Sequence, residues 1–384
     1  MSTAAVPRTA QLATSIPETW WWLPFVILLV GHLPFAGVDL ATTWTRPHYQ
    51  FFPFAFAAFV VLLWTRQGSP RHRPRILGVL LLVDCLLLIA AAVMTSPWLA
   101  MVGLWVVCLA AAGSRTDKVT GRSLAYLAVL PLLAVRLPAN TDLLIVQNLQ
   151  DFTSRVASRV LNDIGCLHLR EGNIIRLPSR DLLVEEACSG IQSLFTLLFL
   201  AVLICCWKRR RPVHAVLTIG SAMVFAELMN VVRVTSIALA WEWWRFDLTT
   251  GLSHDVLGYT VLVLAAGLVY NFDIFVSGFT GLVPDFDRLR PDAEYRNPFA
   301  AAFNRLIGSP DEDTGYRPCR DRSVPITSRY WKAVLTVSII VSVVGVSTQA
   351  AALLNRSGQP TGPGRQLTAS RPDRLHRSCQ PQNG

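Results

Sequence analysis

Charge is what this chain has least of. Asp, Glu, Lys and Arg together make up 16% of its 384 residues, against 52% hydrophobic, where a soluble domain carries about a quarter charged residues. That deficit, with the apolar residues gathered in long blocks, excludes an ordinary soluble protein and implies an integral membrane one. Paired cysteines are missing as well. Eight cysteines are scattered without metal-ligand spacing, which excludes a disulfide framework and a zinc site. Four of them, Cys85, Cys108, Cys205 and Cys206, fall inside apolar blocks, where a buried, inert thiol is the usual reading. Acidic residues are outnumbered, giving a formal charge of +10. The basic residues nevertheless lie in short loops between apolar blocks, so they read as topology signals and not as a nucleic-acid surface.

What is present is a series of apolar runs near the roughly 20 residues a membrane span needs: 20–41, 51–64, 76–94, 97–113, 123–137, 188–207, 213–241, 254–276 and 331–354. The first is too long for a signal-peptide core and reads as a retained anchor. The expected fold is an all-α integral membrane protein, a polytopic bundle of 8–9 transmembrane helices with a small extracytoplasmic helix-plus-hairpin element. Alternating the spans from a cytoplasmic N-terminus puts Arg66, Arg71, Arg73 and Arg75, then Arg115, Lys118 and Arg122, then Lys208 to Arg211, inside. The positive-inside rule is obeyed. Residues 1–19 then form a cytoplasmic tail, 20–276 the membrane-embedded core, 277–330 a cytoplasmic connection and 331–354 a further span. The basic segment 355–384, rich in Pro, Gly, Ser and Arg, reads as a disordered tail.

Between the fifth and sixth spans, Leu143, Leu144, Val146, Leu149, Phe152, Val156, Val160 and Leu161 recur at helical spacing, which predicts an amphipathic helix on the outer surface. A short hairpin is expected around Glu171-Gly172-Asn173, and an extended run Leu182-Leu183-Val184 leads on to Cys188.

Cys188 opens the sixth span in the run Glu185-Glu186-Ala187-Cys188-Ser189-Gly190-Ile191. A thiolate is stabilised near a helix N-terminus. At about 1.5 Å per residue, the seventh span carries Arg233 to the same outer depth, and Ser253-His254 opens the eighth span there. A thiolate nucleophile, an imidazole that moves its proton and a guanidinium that holds an oxyanion or a substrate carboxylate are the parts of acyl transfer. Each also has a plain reading. A cysteine in a span is mostly structural, an arginine at a helix end snorkels to headgroups, and an interfacial histidine more often caps a helix than catalyses.

The motifs carry further. Ala187-Cys188-Ser189-Gly190-Ile191, Asn230-Val-Val-Arg233-Val and His254-Asp255-Val-Leu-Gly258 resemble the three signatures of the exosortase/archaeosortase family, multispan membrane cysteine transpeptidases. The likeness covers roughly residues 70–276. It implies that Cys188 is the nucleophile and that Arg233 and His254 are its catalytic partners. Glu185, Glu186, Ser189, Gly190, Asn230 and Asp255 are supporting candidates. It implies no metal and no cofactor. The substrates it implies are membrane-anchored proteins ending in a Pro-Glu-Pro-type motif, an apolar span and a basic tail. They would be cleaved at the outer face of a bacterial cytoplasmic membrane, in connection with protein sorting and exopolysaccharide assembly. Arg233, Arg180 or Arg245 would meet an acidic recognition motif. The residues alone also allow a membrane acyltransferase using the same thiol, or a non-catalytic scaffold for polysaccharide export. They leave oligomeric state open, and the acceptor open among water, an amine and a lipid headgroup.

Overall fold

A computed structural model describes residues 22–70, 74–138, 141–183, 190–281, 299, 302, 303, 307 and 328–358. Among them six helices are long and apolar enough to cross a membrane: α1 (Leu23–Trp44), α2 (Phe52–Arg66, with a 3-10 turn before it), α3 (Pro74–Val93), α8 (Pro212–Trp244), α9 (Gly251–Phe279) and α10 (Ser328–Gly358). Counted with its 3-10 turn, the α2 span runs Pro47–Arg66, 20 residues; two more apolar helices fall short of that, α4 (Pro97–Gly113) with 17 residues and α7 (Gly190–Trp207) with 18. Proline within the first turn starts α1, α2, α4 and α8, where its missing N–H costs nothing and its fixed φ suits the helix. The molecule is an all-α polytopic membrane bundle.

The run 123–137 is not the single helix its hydropathy suggests. It forms a 3-10 stretch, Leu124–Ala128, followed by one short α-turn, α5 (Val129–Leu132), with Pro131 inside it and Pro138 beyond. The segment still runs antiparallel to α4 along its length. Ser123 Oγ donates to the Gly113 carbonyl (3.5 Å), Trp105 Nε1 to Ala128 (2.9 Å) and Trp98 Nε1 to Arg136 (2.8 Å). Broken backbone at membrane depth is tolerated only where protein covers it. Leu124, Leu127, Leu130 and Ala134 are buried in the central apolar cluster with α1, α2, α4 and α7, Ala128 is buried too, and the two indoles satisfy carbonyls that a regular helix would have bonded.

The basic end of the bundle is bolted together by ion pairs. Asp273 of α9 accepts from Lys208 (2.9 Å), Arg210 (2.7 Å) and His214 Nε2 (2.8 Å). Arg66 donates to the Cys206 carbonyl (2.6 Å) at the end of α7. Here too a two-stranded ribbon forms, β1 (Gln67–Pro70) against β2 (Arg115–Asp117). Burial works against the Asp117 carboxylate, but the Arg209 hydrogen bond and the amides of Val119 and Thr120 outweigh it and hold its pKa below the ordinary value. α1, α3, α4 and α10 form a second lobe around a fully buried pair, His32 Nε2–H donating to Asp84 (2.8 Å). The imidazole lies where a Cβ on Gly103 would stand, 2.2 Å from ring carbon Cε1.

At the opposite end, α6 (Thr141–Ile164) is one continuous amphipathic helix. The extended segments after it form a three-stranded antiparallel sheet, β3 (Leu169–Glu171), β4 (Ile174–Leu177) and β5 (Arg180–Leu183). Gly172, at φ +59°, makes the tight turn between β3 and β4. The expected hairpin is therefore present, and the third strand extends it. Ala157, Leu161, Ile175, Leu177 and Leu182 pack against Val231, Val234, Ile237 and Ala238 of α8. Sheet and amphipathic helix thus clamp the far end of α8, the helix that carries Arg233.

Candidate functional site

Arg233 lies about 30 Å along α8 at about 1.5 Å per residue, and it is only 2% exposed. Burying a guanidinium is expensive unless its donors are used. One of them, NH2, lies 3.0 Å from Nε2 of His254, in the first turn of α9. A guanidinium has no lone pair to offer, so Nε2 is the acceptor and the ring proton sits on Nδ1. The other side of the ring agrees: Nδ1 lies 3.3 Å from the carbonyl of Leu248, in the loop between α8 and α9. The imidazole is neutral in this arrangement, with its one lone pair turned to Arg233.

The close approach of α8 to α9 depends on Gly258. It stands one turn after His254, on the same face of α9, and a Cβ there would come within 3.2 Å of the Arg233 NH2 atom. Beside this contact lies a cleft of about 220 Å³. Gln192, Ser193 and Thr196 of α7 form one wall, and His254, Asp255 and Tyr259 of α9 the other, with Arg233 between them. A smaller void of about 10 Å³ continues beneath, reaching Met229 and Asn230 on α8 and Val261 on α9. The cleft is polar at its mouth and apolar below.

Of the residues singled out in the sequence, Arg233, His254 and Asp255 meet in this cleft. Asp255 is exposed, and Gly190 is the first residue of α7. Asn230 faces the lower void and serves a different contact: its Nδ2 donates to Thr153 of α6 (3.0 Å), whose hydroxyl donates to Glu227. Asn230 therefore ties α6 to α8. Cys188, Glu185, Glu186 and Ser189 lie outside the described residues. Arg180 is engaged with Asp247 and Thr249, and Arg245 donates to Ser179, so both are already committed within the fold.

Several cleft residues were not singled out in the sequence. Gln192, Ser193 and Thr196 leave a signal there, a polar stripe at helical spacing within an apolar span. The Leu248 carbonyl leaves none, since every residue has one. Cys166, the described cysteine nearest this end in the chain, is buried, and that burial together with the Glu242 carboxylate pushes its thiol pKa up. It is a packing residue of the sheet cluster. Among the described residues no group of three or more His, Cys, Asp or Glu gathers to hold a metal ion.

No curated protein and no solved structure matches the chain. A family model described as transmembrane exosortase matches residues 43–270. That span runs from the end of α1 into α9, includes the whole cleft, and leaves α10 outside. With more than half of its length matched, the chain belongs to the transmembrane exosortase family.

Proposed function

We propose that the chain is a membrane-embedded cysteine transpeptidase that cleaves C-terminal sorting signals at the outer face of a bacterial cytoplasmic membrane. Family membership supports a membrane transpeptidase-like role. The observation that carries the finer reading is the Arg233–His254 hydrogen bond (3.0 Å) at a cleft whose α7 wall begins at Gln192, four residues after Cys188.

In this reading the Cys188 thiolate attacks the carbonyl of the scissile peptide. Arg233 stabilises the oxyanion that forms. The C–N bond breaks as His254 delivers a proton to the departing amine, leaving an acyl thioester on Cys188. An amine or water then attacks the thioester and frees the thiol. The lone pair of Nε2 is engaged by Arg233 in the absence of substrate. An oxyanion or carboxylate is a stronger acceptor for a guanidinium than a neutral imidazole, so substrate draws Arg233 away and leaves Nε2 free to take the thiol proton. Substrates with a Pro-Glu-Pro-type motif, an apolar span and a basic tail fit this geometry. The span and tail anchor them in the bilayer with the motif at the depth of the cleft, and Arg233 is the guanidinium that lines the cleft to meet its acid.

The basic loops support this sidedness: Lys208 to Arg211, with Arg115 and Lys118, lie at the end of the bundle away from His254. The test is co-expression with a tagged substrate bearing such a signal. A Cys188→Ala variant present in the membrane yet processing normally would sink the mechanism. Loss of processing in Arg233→Lys at unchanged expression supports the need for a planar, two-pronged donor.

A further inference from the structure

A histidine that relays protons to and from a thiol must keep one nitrogen bare and the other protonated, and a third group usually fixes which is which. Here the group on Nδ1 is the Leu248 main-chain carbonyl, 3.3 Å away. A carbonyl on a loop can perform that task only if the loop is held, and the loop between α8 and α9 is held from both flanks. Asp247 Oδ1 accepts from the Thr249 amide (2.8 Å) and the Thr249 hydroxyl (2.6 Å), so it straddles Leu248. Ser253 Oγ donates to the Asp247 carbonyl (3.0 Å), fastening the loop to the first turn of α9. Arg180, reaching across from β5, donates to Asp247 Oδ2 (3.0 Å) and to Thr249 Oγ1 (2.7 Å) and lies 4.8 Å over the Trp241 ring. The Leu248 side chain packs on the apolar cluster shared by α6, the sheet and α8.

We propose that Arg180, Asp247 and Thr249 are positioning residues that set the tautomer of His254 through the Leu248 carbonyl, so that a bare Nε2 faces the cleft. The proposal rests on the proton-transfer role given to His254 above. It also assigns the small outer sheet a purpose, since β5 supplies the arginine that closes the device. The hydrogen bonds from Thr249, with Arg180 beside them, hold the Asp247 carboxyl down at about 2. The carboxylate is therefore charged at every pH at which the membrane protein would work.

The tautomer can be read directly. In protein labelled with 15N-histidine, a bare ring nitrogen resonates far from an N–H nitrogen, and the His254 signals among the seven histidines are identified by their loss in His254→Gln. Because the Arg233 guanidinium also holds Nε2 bare, the spectra are taken in an Arg233→Ala background, which is expected to show only the Nδ1–H form. Asp247→Ala and Thr249→Val in that background are expected to show a mixture of both forms. With a detergent-solubilised sorting-signal substrate and Arg233 intact, kcat of the two loop variants falls about tenfold or more and KM stays within about twofold, because Asp247 and Thr249 do not line the cleft. Thr249→Val keeps the shape of the side chain and guards against a folding defect in Asp247→Ala. An unmixed Nδ1–H signal in both loop variants overturns the proposal. So does undiminished turnover in them when His254→Gln is inactive. Undiminished turnover in His254→Gln itself traces the failure to the catalytic reading of that histidine.

Discussion

Replacing Gly258 by alanine tests the Arg233–His254 contact without removing either side chain. The new Cβ would lie 3.2 Å from the Arg233 NH2 atom and 3.5 Å from its central carbon. Comfortable packing needs about 3.5 Å or more, so the guanidinium must withdraw by a few tenths of an ångström from α9. His254 stands on that same face of α9, so withdrawal from Gly258 is also withdrawal from His254. The 3.0 Å hydrogen bond stretches past the usual limit of about 3.2 Å. A guanidinium shifted from its place also reaches the oxyanion it stabilises less well; a hydrogen bond to a charged group contributes about 1.5–3 kcal/mol, and losing its lower bound in the transition state corresponds to a rate loss of about tenfold. Helix propensity moves the other way: alanine in a helix interior is favoured over glycine by about 1 kcal/mol, which offsets part of what the displaced contact costs the fold. Gly267, on the same helix, gives the control, because a Cβ added there would meet nothing within 4 Å. Processing of the tagged substrate is expected to fall in Gly258→Ala and to persist in Gly267→Ala, with both variants folded and present in the membrane at wild-type levels. Wild-type processing by Gly258→Ala would refute the reasoning, because it would mean the guanidinium does not need its present place.

Two further expectations follow from other parts of the structure. Trp105→Phe removes the indole that serves the buried Ala128 carbonyl; an orphaned buried acceptor costs about 1–3 kcal/mol, so the unfolding midpoint in detergent should drop, and an unchanged midpoint would show that the broken segment satisfies itself. Asp247, held at about 2 against an unfolded value of about 3.9, contributes stability that is present above about pH 4 and is lost as pH falls towards 2. The protection factor of the Thr249 amide should therefore stay level from pH 8 to 5 and collapse below 4, and a decline already under way at pH 6 would contradict that assignment.

Much of the architecture is readable from hydropathy because a bilayer leaves the backbone few options. The runs that became α1, α3, α4, α8 and α9 were placed to within a few residues, and the amphipathic period of 141–164 gave α6. Hydropathy failed at 123–137, where apolar side chains were present but two prolines and the indoles of α4 favoured a 3-10 segment. It also could not see the ribbon of β1 and β2, whose strands are three and four residues long and far apart in sequence. At the site, Arg233 and His254 were legible as residue types at one depth. Their contact was not, nor was the commitment of Arg180 and Arg245 to Asp247 and Ser179.

Residue order alone was enough to show an all-α polytopic membrane protein of the transmembrane exosortase family and to place most of its long apolar helices. These are properties of single segments, fixed by composition and local period. Packing supplied the rest: Gly258 admits the Arg233 guanidinium to α9, Nε2 of His254 faces that guanidinium, and Nδ1 faces the Leu248 carbonyl between Asp247 and Thr249. Hydrogen bonds act over about 3 Å, a distance that helix arithmetic along separate segments cannot reach and that only their packing sets.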